Sequence, residues 1–257
     1  MRLSIVIPSF NQGAFIAETL DCLFDQQDVA PDELEVIVMD GGSTDQSVEI
    51  IKSRADRLAY WVSEPDGGQT DALIKGFNRA TGDIFGWLCS DDLLEPRTVR
   101  EVLDFFAGHP DTEFVFGDTT WIDRDGEIIK RRKEIPFSWF IWAYGYNYLP
   151  QPSTFWRRGL YERVGGLRAE FDCAMDADLW GRFAQESPPV HVRKFWSRAR
   201  MYPEQKNQAL RAQSDIEDRR LRIELGYPLD RPLFRSAMYV LARSTRVAWR
   251  AVTGCYT

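Results

Sequence analysis

The carboxylates carry most of the chemistry in this sequence, and they stand at recurring places. The run Ile84-Phe85-Gly86-Trp87-Leu88-Cys89-Ser90-Asp91-Asp92 is an apolar segment that breaks off in two adjacent acids. Neighbouring carboxylates repel unless something positive stands beside them. A hard divalent cation, Mg2+ or Mn2+, meets that need with oxygen ligands and is commonly shared with phosphates. The same residues also suit a helix N-cap, because a helix is expected from about Pro96. A second apolar run, Leu34 to Met39, stops at Asp40 and Gly41. Two further clusters follow the same theme: Asp66-Gly67-Gly68-Gln69 with Asp71 and Lys75, and Asp176-Ala177-Asp178-Leu179-Trp180.

The elements around these acids alternate. Leu3–Ile7 is apolar throughout, as a strand buried on both faces should be. A turn at Pro8-Ser9-Phe10-Asn11-Gln12-Gly13 leads to a helix over 14–25. Strands are expected at Leu34–Met39, Leu58–Val62, Ile84 onward and Glu113–Gly117, with helices to about Ala55, to Ala80 and over 96–106. Ile122–Ile129 reads as a hairpin with Arg124-Asp125-Gly126-Glu127 at its tip. This pattern predicts an α/β fold with a mostly parallel sheet flanked by helices. In such a sheet ligands bind beyond the carboxyl ends of the strands, which is where the acids fall.

From Pro136 the composition changes. Aromatic residues crowd 137–148, where core packing and sugar stacking both account for them. Gln151-Pro152-Ser153 leads into a helix ending near Val164, and a helix opens around Asp176. The expected division is a domain over 1–208, with halves meeting near 118, and a helical basic tail over 209–257. The second half is expected to be α+β.

The chain has 257 residues, net charge −7 and pI about 5.1, which excludes a general nucleic-acid binder. Cys22, Cys89, Cys173 and Cys255 form no CxxC pair, and with only His109 and His191 a His-rich zinc site is not expected. There is no signal-peptide pattern and no apolar run of membrane-spanning length, so a cytoplasmic protein is expected, peripheral at the inner face of the membrane if it touches one. From Arg231 onward there are five arginines and no acid. On a helix, Phe234, Met238, Leu241, Ala248 and Val252 share one face, and Arg243, Arg246 and Arg250 lie on another. That pattern suits a membrane-surface helix or a tail packed on its own domain.

Taken in order, Ser4-Ile5-Val6-Ile7-Pro8-Ser9-Phe10-Asn11, Val38-Met39-Asp40-Gly41-Gly42-Ser43-Thr44-Asp45, Ser90-Asp91-Asp92 and Asp176-Ala177-Asp178-Leu179-Trp180 resemble the signature of family 2 glycosyltransferases. The resemblance covers roughly 3–206. It implies the Rossmann-like GT-A fold and inverting transfer from a nucleotide-diphospho-sugar, UDP-sugar first and dTDP-sugar second, to a glycan or lipid-linked acceptor. By the same resemblance Pro8, Ser9, Asn11, Asp40 and Gly41 line the base and ribose pocket, and Asp91 is a ribose- or metal-side acid. Asp92 is the Mg2+ or Mn2+ ligand. Asp66, Gln69, Asp71 and Lys75 lie near the nucleotide sugar, Asp176 is the general base, and Gln151, Asp178 and Trp180 sit on the acceptor side. Arg200 is a candidate for the diphosphate. Three positions depart from the pattern: Ile74 for a common Asn, Met175 for Glu before Asp176, and Tyr202 for His before Pro203. No GxGxxG, GxxxxGK[ST] or GGxGTR-like loop occurs, which disfavours a dinucleotide-binding fold, a P-loop ATPase and a sugar-phosphate nucleotidyltransferase. The departures leave a non-catalytic carbohydrate-binding or partner subunit as the alternative.

Overall fold

The computed structural model describes residues 1–255, the side chains of 207 and 208 excepted. In chain order the elements are β1 (Leu3–Ser9), α1 (Ile16–Phe24), β2 (Leu34–Asp40), α2 (Ser47–Lys52), β3 (Tyr60–Ser63), α3 (Gln69–Phe77), β4 (Ile84–Trp87) and β5 (Leu93–Leu94). Next come α4 (Thr98–Gly108), β6 (Phe114–Ile122), β7 (Ile128–Arg132), α5 (Trp139–Tyr144), β8 (Thr154–Arg157), α6 (Arg158–Arg163) and α7 (Met175–Glu186). The last are β9 (Val190–Arg200), α8 (Lys206–Ala209), α9 (Arg211–Glu224) and α10 (Pro232–Thr253).

One sheet runs β3-β2-β1-β4-β8-β6-β9-β5, with β7 paired to β6. The pairs β3-β2, β2-β1 and β1-β4 are parallel, as is β6-β9, whereas β8 runs antiparallel to both β4 and β6. Successive strand side chains point to opposite faces. Leu3, Ile5 and Ile7 therefore enter a core with α1 and α4, and Val6 enters the other core with α3, α5 and α7. Gly76 lets α3 approach the sheet: a Cβ there would lie 2.3 Å from Val6 Cγ1.

Several sequence expectations are corrected here. The strand at 113–117 and the first arm of the hairpin form one strand, β6, which runs through the expected division near 118. The hairpin tip lies at 123–127, as read. β8 falls in a segment read as the approach to a helix, and β9 was not anticipated. β8 has four residues, too short for a period to show. β9 carries His191, Arg193, Lys194, Arg198 and Arg200, and its burial alternates poorly because only part of it is covered.

Candidate active site

The parallel strands deliver their carboxyl ends to one edge. Ser9 stands in register with Asp40, and Asp40 with Ser63. Pro8 is buried inside β1, and Ser9 is 4% exposed with its hydroxyl unpaired among the described residues. Buried polar groups normally find a partner. The hydroxyl at this mouth is thus a group available to a ligand.

Asp40 organises its own loop. Its Oδ2 accepts from Gly42 N at 3.2 Å, Ser43 N at 2.9 Å and Ser63 Oγ at 2.7 Å, while Oδ1 has Ser43 Oγ at 2.5 Å. Asn11 has a positive φ of 53° and joins this loop from across the edge: its N donates to Ser43 Oγ and its Oδ1 accepts from Thr44 N. Asp66 packs against Gly41, where a Cβ would meet its carboxylate at 3.0 Å. Asp66 also holds Gly68 N at 2.8 Å. Gly68 has φ 104°, a conformation glycine adopts without a Cβ penalty. Lys75 is paired with Asp71 at 2.9 Å, and Asp71 also accepts from Gly67 N. Those two donors hold the Asp71 carboxyl below its ordinary range.

The loop after β4 carries the densest charge. Ligand atoms of Cys89, Asp91 and Asp92 lie within 4.8 Å of one another. Asp91 Oδ2 accepts from Tyr202 Oη at 2.8 Å and Gln205 Nε2 at 3.3 Å. Asp92 Oδ1 accepts from Arg200 N at 2.8 Å. Burial, and then the charge of Asp91, push the Asp92 carboxyl well above its usual value. Each acid keeps one oxygen free of these bonds, and the charge of Arg200 only partly offsets the shift at Asp92. The two carboxylates fit a hard divalent ion; the adjacent thiol is a soft donor that such an ion does not favour.

Arg200 does not supply that charge to a ligand, which corrects the sequence expectation. It is 2% exposed. Its guanidinium donates to the carbonyls of Asp91, Asp123 and Arg124 and to Glu18 Oε2. It clamps the loop after β4 to the β6-β7 turn.

Cys89 is a residue the sequence reading passed over as an incidental thiol. Gln69 Nε2 donates to its sulfur at 3.4 Å, and the thiol faces Gln151 Oε1 at 3.5 Å. Gln151 in turn donates to Trp87 O at 2.7 Å. Burial raises the thiol pKa well above its ordinary value, and the charges of Asp92, Asp91 and Asp176 add to the effect. The cysteine therefore stands beside the paired acids. Its position two residues before Asp91, in an otherwise apolar run, was the available signal.

Asp176 opens α7, half-buried. Its Oδ2 accepts from Asn147 Nδ2 at 2.9 Å and its Oδ1 from Ala177 N at 2.7 Å. Burial lifts its pKa to about 6, with hydrogen bonds opposing the shift. A carboxylate with that pKa suits proton abstraction near neutral pH. The segment before it is held by α9: Glu217 Oε2 accepts from the backbone N of Asp172, Cys173 and Ala174 at 3.0, 2.8 and 3.0 Å. Lys206 ties Asp172 to the segment bearing Tyr202 and Gln205, with Nζ 2.6 Å from Asp172 Oδ1.

Asp178 and Trp180 do not reach the acceptor side, a second correction. Asp178 is 0% exposed and fixed by Arg168 and by Arg182, 2.6 Å from its Oδ2. Trp180 is 1% exposed and stacks on Trp87 with ring centroids 5.3 Å apart. Asp176 is half-buried at the start of α7, whereas Asp178 and Trp180 are packed into the core. Much of the aromatic band is core as well, with Ile141, Trp142 and Tyr148 buried.

Comparison with known proteins agrees with this geometry. The profile described as "Glycosyl transferase family 2" matches residues 4–165. The chain belongs to that family. An uncharacterized glycosyltransferase of Mycobacterium tuberculosis is 30% identical over 192 residues, covering 74% of this chain and 72% of the relative. S. aureus TarS 1-349, solved in complex with UDP-GlcNAc, matches with TM-score 0.71 and 19% identity over 93% of this chain and 70% of that one. The chain spans 39% of a longer TarS structure. A Pyrobaculum calidifontis mannosyltransferase, in complex with GDP-Man and Mn2+, matches with TM-score 0.69 and 22% identity over 98% of this chain and 75% of that one. These structural likenesses establish the GT-A fold. Within family 2, the departures at Ile74, Met175 and Tyr202 acquire local explanations. Ile74 packs at the edge of the core, Met175 is 6% exposed within it, and Tyr202 binds Asp91 and stacks on Phe15 at 5.2 Å.

Proposed function

We propose that this family 2 glycosyltransferase moves a sugar from a nucleotide-diphospho-sugar, a UDP-sugar first, to a hydroxyl of a glycan or lipid-linked acceptor, with inversion. The observation that carries the reading is the Asp91-Asp92 pair, a cation-seeking set beyond the end of β4, together with Asp176 at the start of α7, a half-buried acid of raised pKa. Ser9, Asp40 and Asp66 line the nucleotide end. Asp92, with Asp91 beside it and Cys89 within reach, would hold Mg2+ or Mn2+. Such an ion, when bound, offsets charge developing on the departing diphosphate.

Asp176 takes the acceptor hydroxyl's proton as the oxygen attacks the anomeric carbon and the bond to the diphosphate breaks on the opposite face. Asn147 holds the carboxylate toward that proton. Residues 1–208 carry this chemistry apart from the support that Glu217 lends, and α9 and α10 form the helical tail. The alternative, a binding subunit without catalysis, draws on the core position of Met175. A panel of nucleotide sugars, assayed for thermal stabilisation with and without Mn2+ and then for donor hydrolysis, separates the two. Asp92→Ala is expected to stay folded and lose Mn2+-dependent nucleotide binding. Undiminished binding would remove the metal role, and stabilisation without turnover would favour the subunit reading.

A further inference from the structure

Helix α10, read from its sequence as either a membrane-surface helix or a tail packed on its own domain, leaves most of its apolar side chains uncovered. It spans 22 residues, about 33 Å at 1.5 Å per residue. Two of its arginines point inward: Arg246 and Arg250 are buried, and Arg246 pairs with Glu134 and lies over the rings of Tyr146 and Tyr148 at 4.9 and 5.4 Å. Its apolar residues point outward. Leu233 is 89% exposed, Val240 64%, Leu241 52%, Val247 56% and Val252 87%. These recur at helical spacing along one stripe, with the small residues Ala237, Ser244 and Ala251 between them, also exposed. Contiguous apolar surface of this kind marks a contact with another phase or another molecule.

Charge decides which. The chain is acidic overall, yet from Arg231 onward there is no acid, and Arg231 and Arg243 flank the stripe exposed. A second copy of the helix is a poor cover. Arg243 stands at the middle of α10, so antiparallel two-fold pairing sets it against its own equivalent. Parallel pairing stacks every arginine on its counterpart. Neither arrangement offers a carboxylate from the helix. An anionic lipid surface accepts both features at once: acyl chains for the stripe, phosphates for the flanking arginines. No helix among the described residues is long and apolar enough to cross a membrane, so the geometry is that of a helix lying flat.

We propose that the outward face of α10 seats this protein on an anionic lipid bilayer through Leu233, Val240, Leu241, Val247 and Val252, with Arg231 and Arg243 at the headgroups. This goes beyond the transfer reading and is tested without donor or acceptor. The site is nevertheless linked to it. α10 packs on α5, and the chain following α5 carries Asn147, the partner of Asp176.

The test is flotation of the full chain with phosphatidylcholine vesicles with and without phosphatidylglycerol. Binding is expected to need the anionic lipid and to weaken with salt. Arg243→Glu should lower the affinity at least about fivefold, the worth of one basic residue near such a surface. Val240→Asp, and separately Val247→Asp, should abolish flotation while melting temperature and nucleotide binding stay unchanged. Three results would overturn the inference. One is no flotation with either vesicle, and another is equal flotation with both. The third is a dimer in sedimentation that Val240→Asp dissolves, which would make the stripe a self-interface.

Discussion

On the side proposed for the donor, Ser9 and Asp40 end their strands and Asp66, Asp91 and Asp92 follow strand ends by a few residues. The partners of Asp40 and Asp66 are local or on the neighbouring strand, and only Asp91 and Asp92 draw on Arg200, Tyr202 and Gln205 from far along the chain. On the acceptor side, Asp176 depends on Asn147, 29 residues away, and on a preceding segment that Glu217 holds from more than 40 residues away. The donor side is thus written in short runs that a parallel sheet brings to one edge automatically. The acceptor side is assembled by helices whose order in sequence says little about their neighbours. A change on the donor side should act on nucleotide and metal binding. A change on the acceptor side should act on turnover or on stability, with donor affinity retained.

The largest effect expected from this contrast is that of Asp176→Asn. Removing a general base lowers rates by about 10²–10⁴, and the donor's affinity should hold. The wild-type kcat/KM should rise about tenfold per pH unit up to about 6 and then level off. Burial also makes the ionised base destabilising. Its raised folded pKa contributes stability that is complete below the unfolded value and lost as pH rises through about 6. Asp176→Asn should therefore melt above wild type at pH 7.5, with the gain shrinking at pH 5. A flat pH profile in the wild type, or a lost donor affinity in the variant, breaks the comparison.

Next in size is Asp178→Asn, which leaves Arg168 and Arg182 without their buried carboxylate. Breaking a buried ion pair costs about 3–5 kcal/mol, so chemical denaturation should show a large loss of stability at little change in nucleotide affinity. If the stable fraction of this variant lacks transfer while Asp176→Asn keeps it, the base is Asp178 and the acceptor side has been read two residues off.

The smallest effect expected is that of Glu217→Gln, which keeps an acceptor oxygen for the backbone ahead of α7 but removes its charge. About 1 kcal/mol of stability should go, with kcat reduced and nucleotide affinity held. A matching fall in nucleotide affinity would show that α9 supports both sides equally.

The donor edge was legible because a buried strand ending in an acid is a local event. Leu3–Ser9, Leu34–Asp40 and Ile84–Trp87 announce themselves by apolar runs interrupted only at Ser4 and Glu35 before their ends, and a parallel sheet fixes where the acids must fall. The errors lie where one residue type serves two settings. Arg200 was read as facing a diphosphate and Arg246 as part of a charged helix face, yet both are buried on carbonyls and carboxylates from distant segments. Trp180 and Asp178 share a motif with Asp176, but their side chains turn into the core.

The sequence by itself determined the α/β alternation, the family, the acids at the strand ends and the helical tail, because each rests on periodicity or on a contiguous motif. Tertiary structure alone decided which face of α10 meets solvent, that Cys89 lies beside the paired acids, that Glu217 holds the segment before Asp176, and that Arg200 is a clamp. These are properties of contacts between residues far apart in the chain. They depend on how helices and strands pack, which no single run of residues encodes.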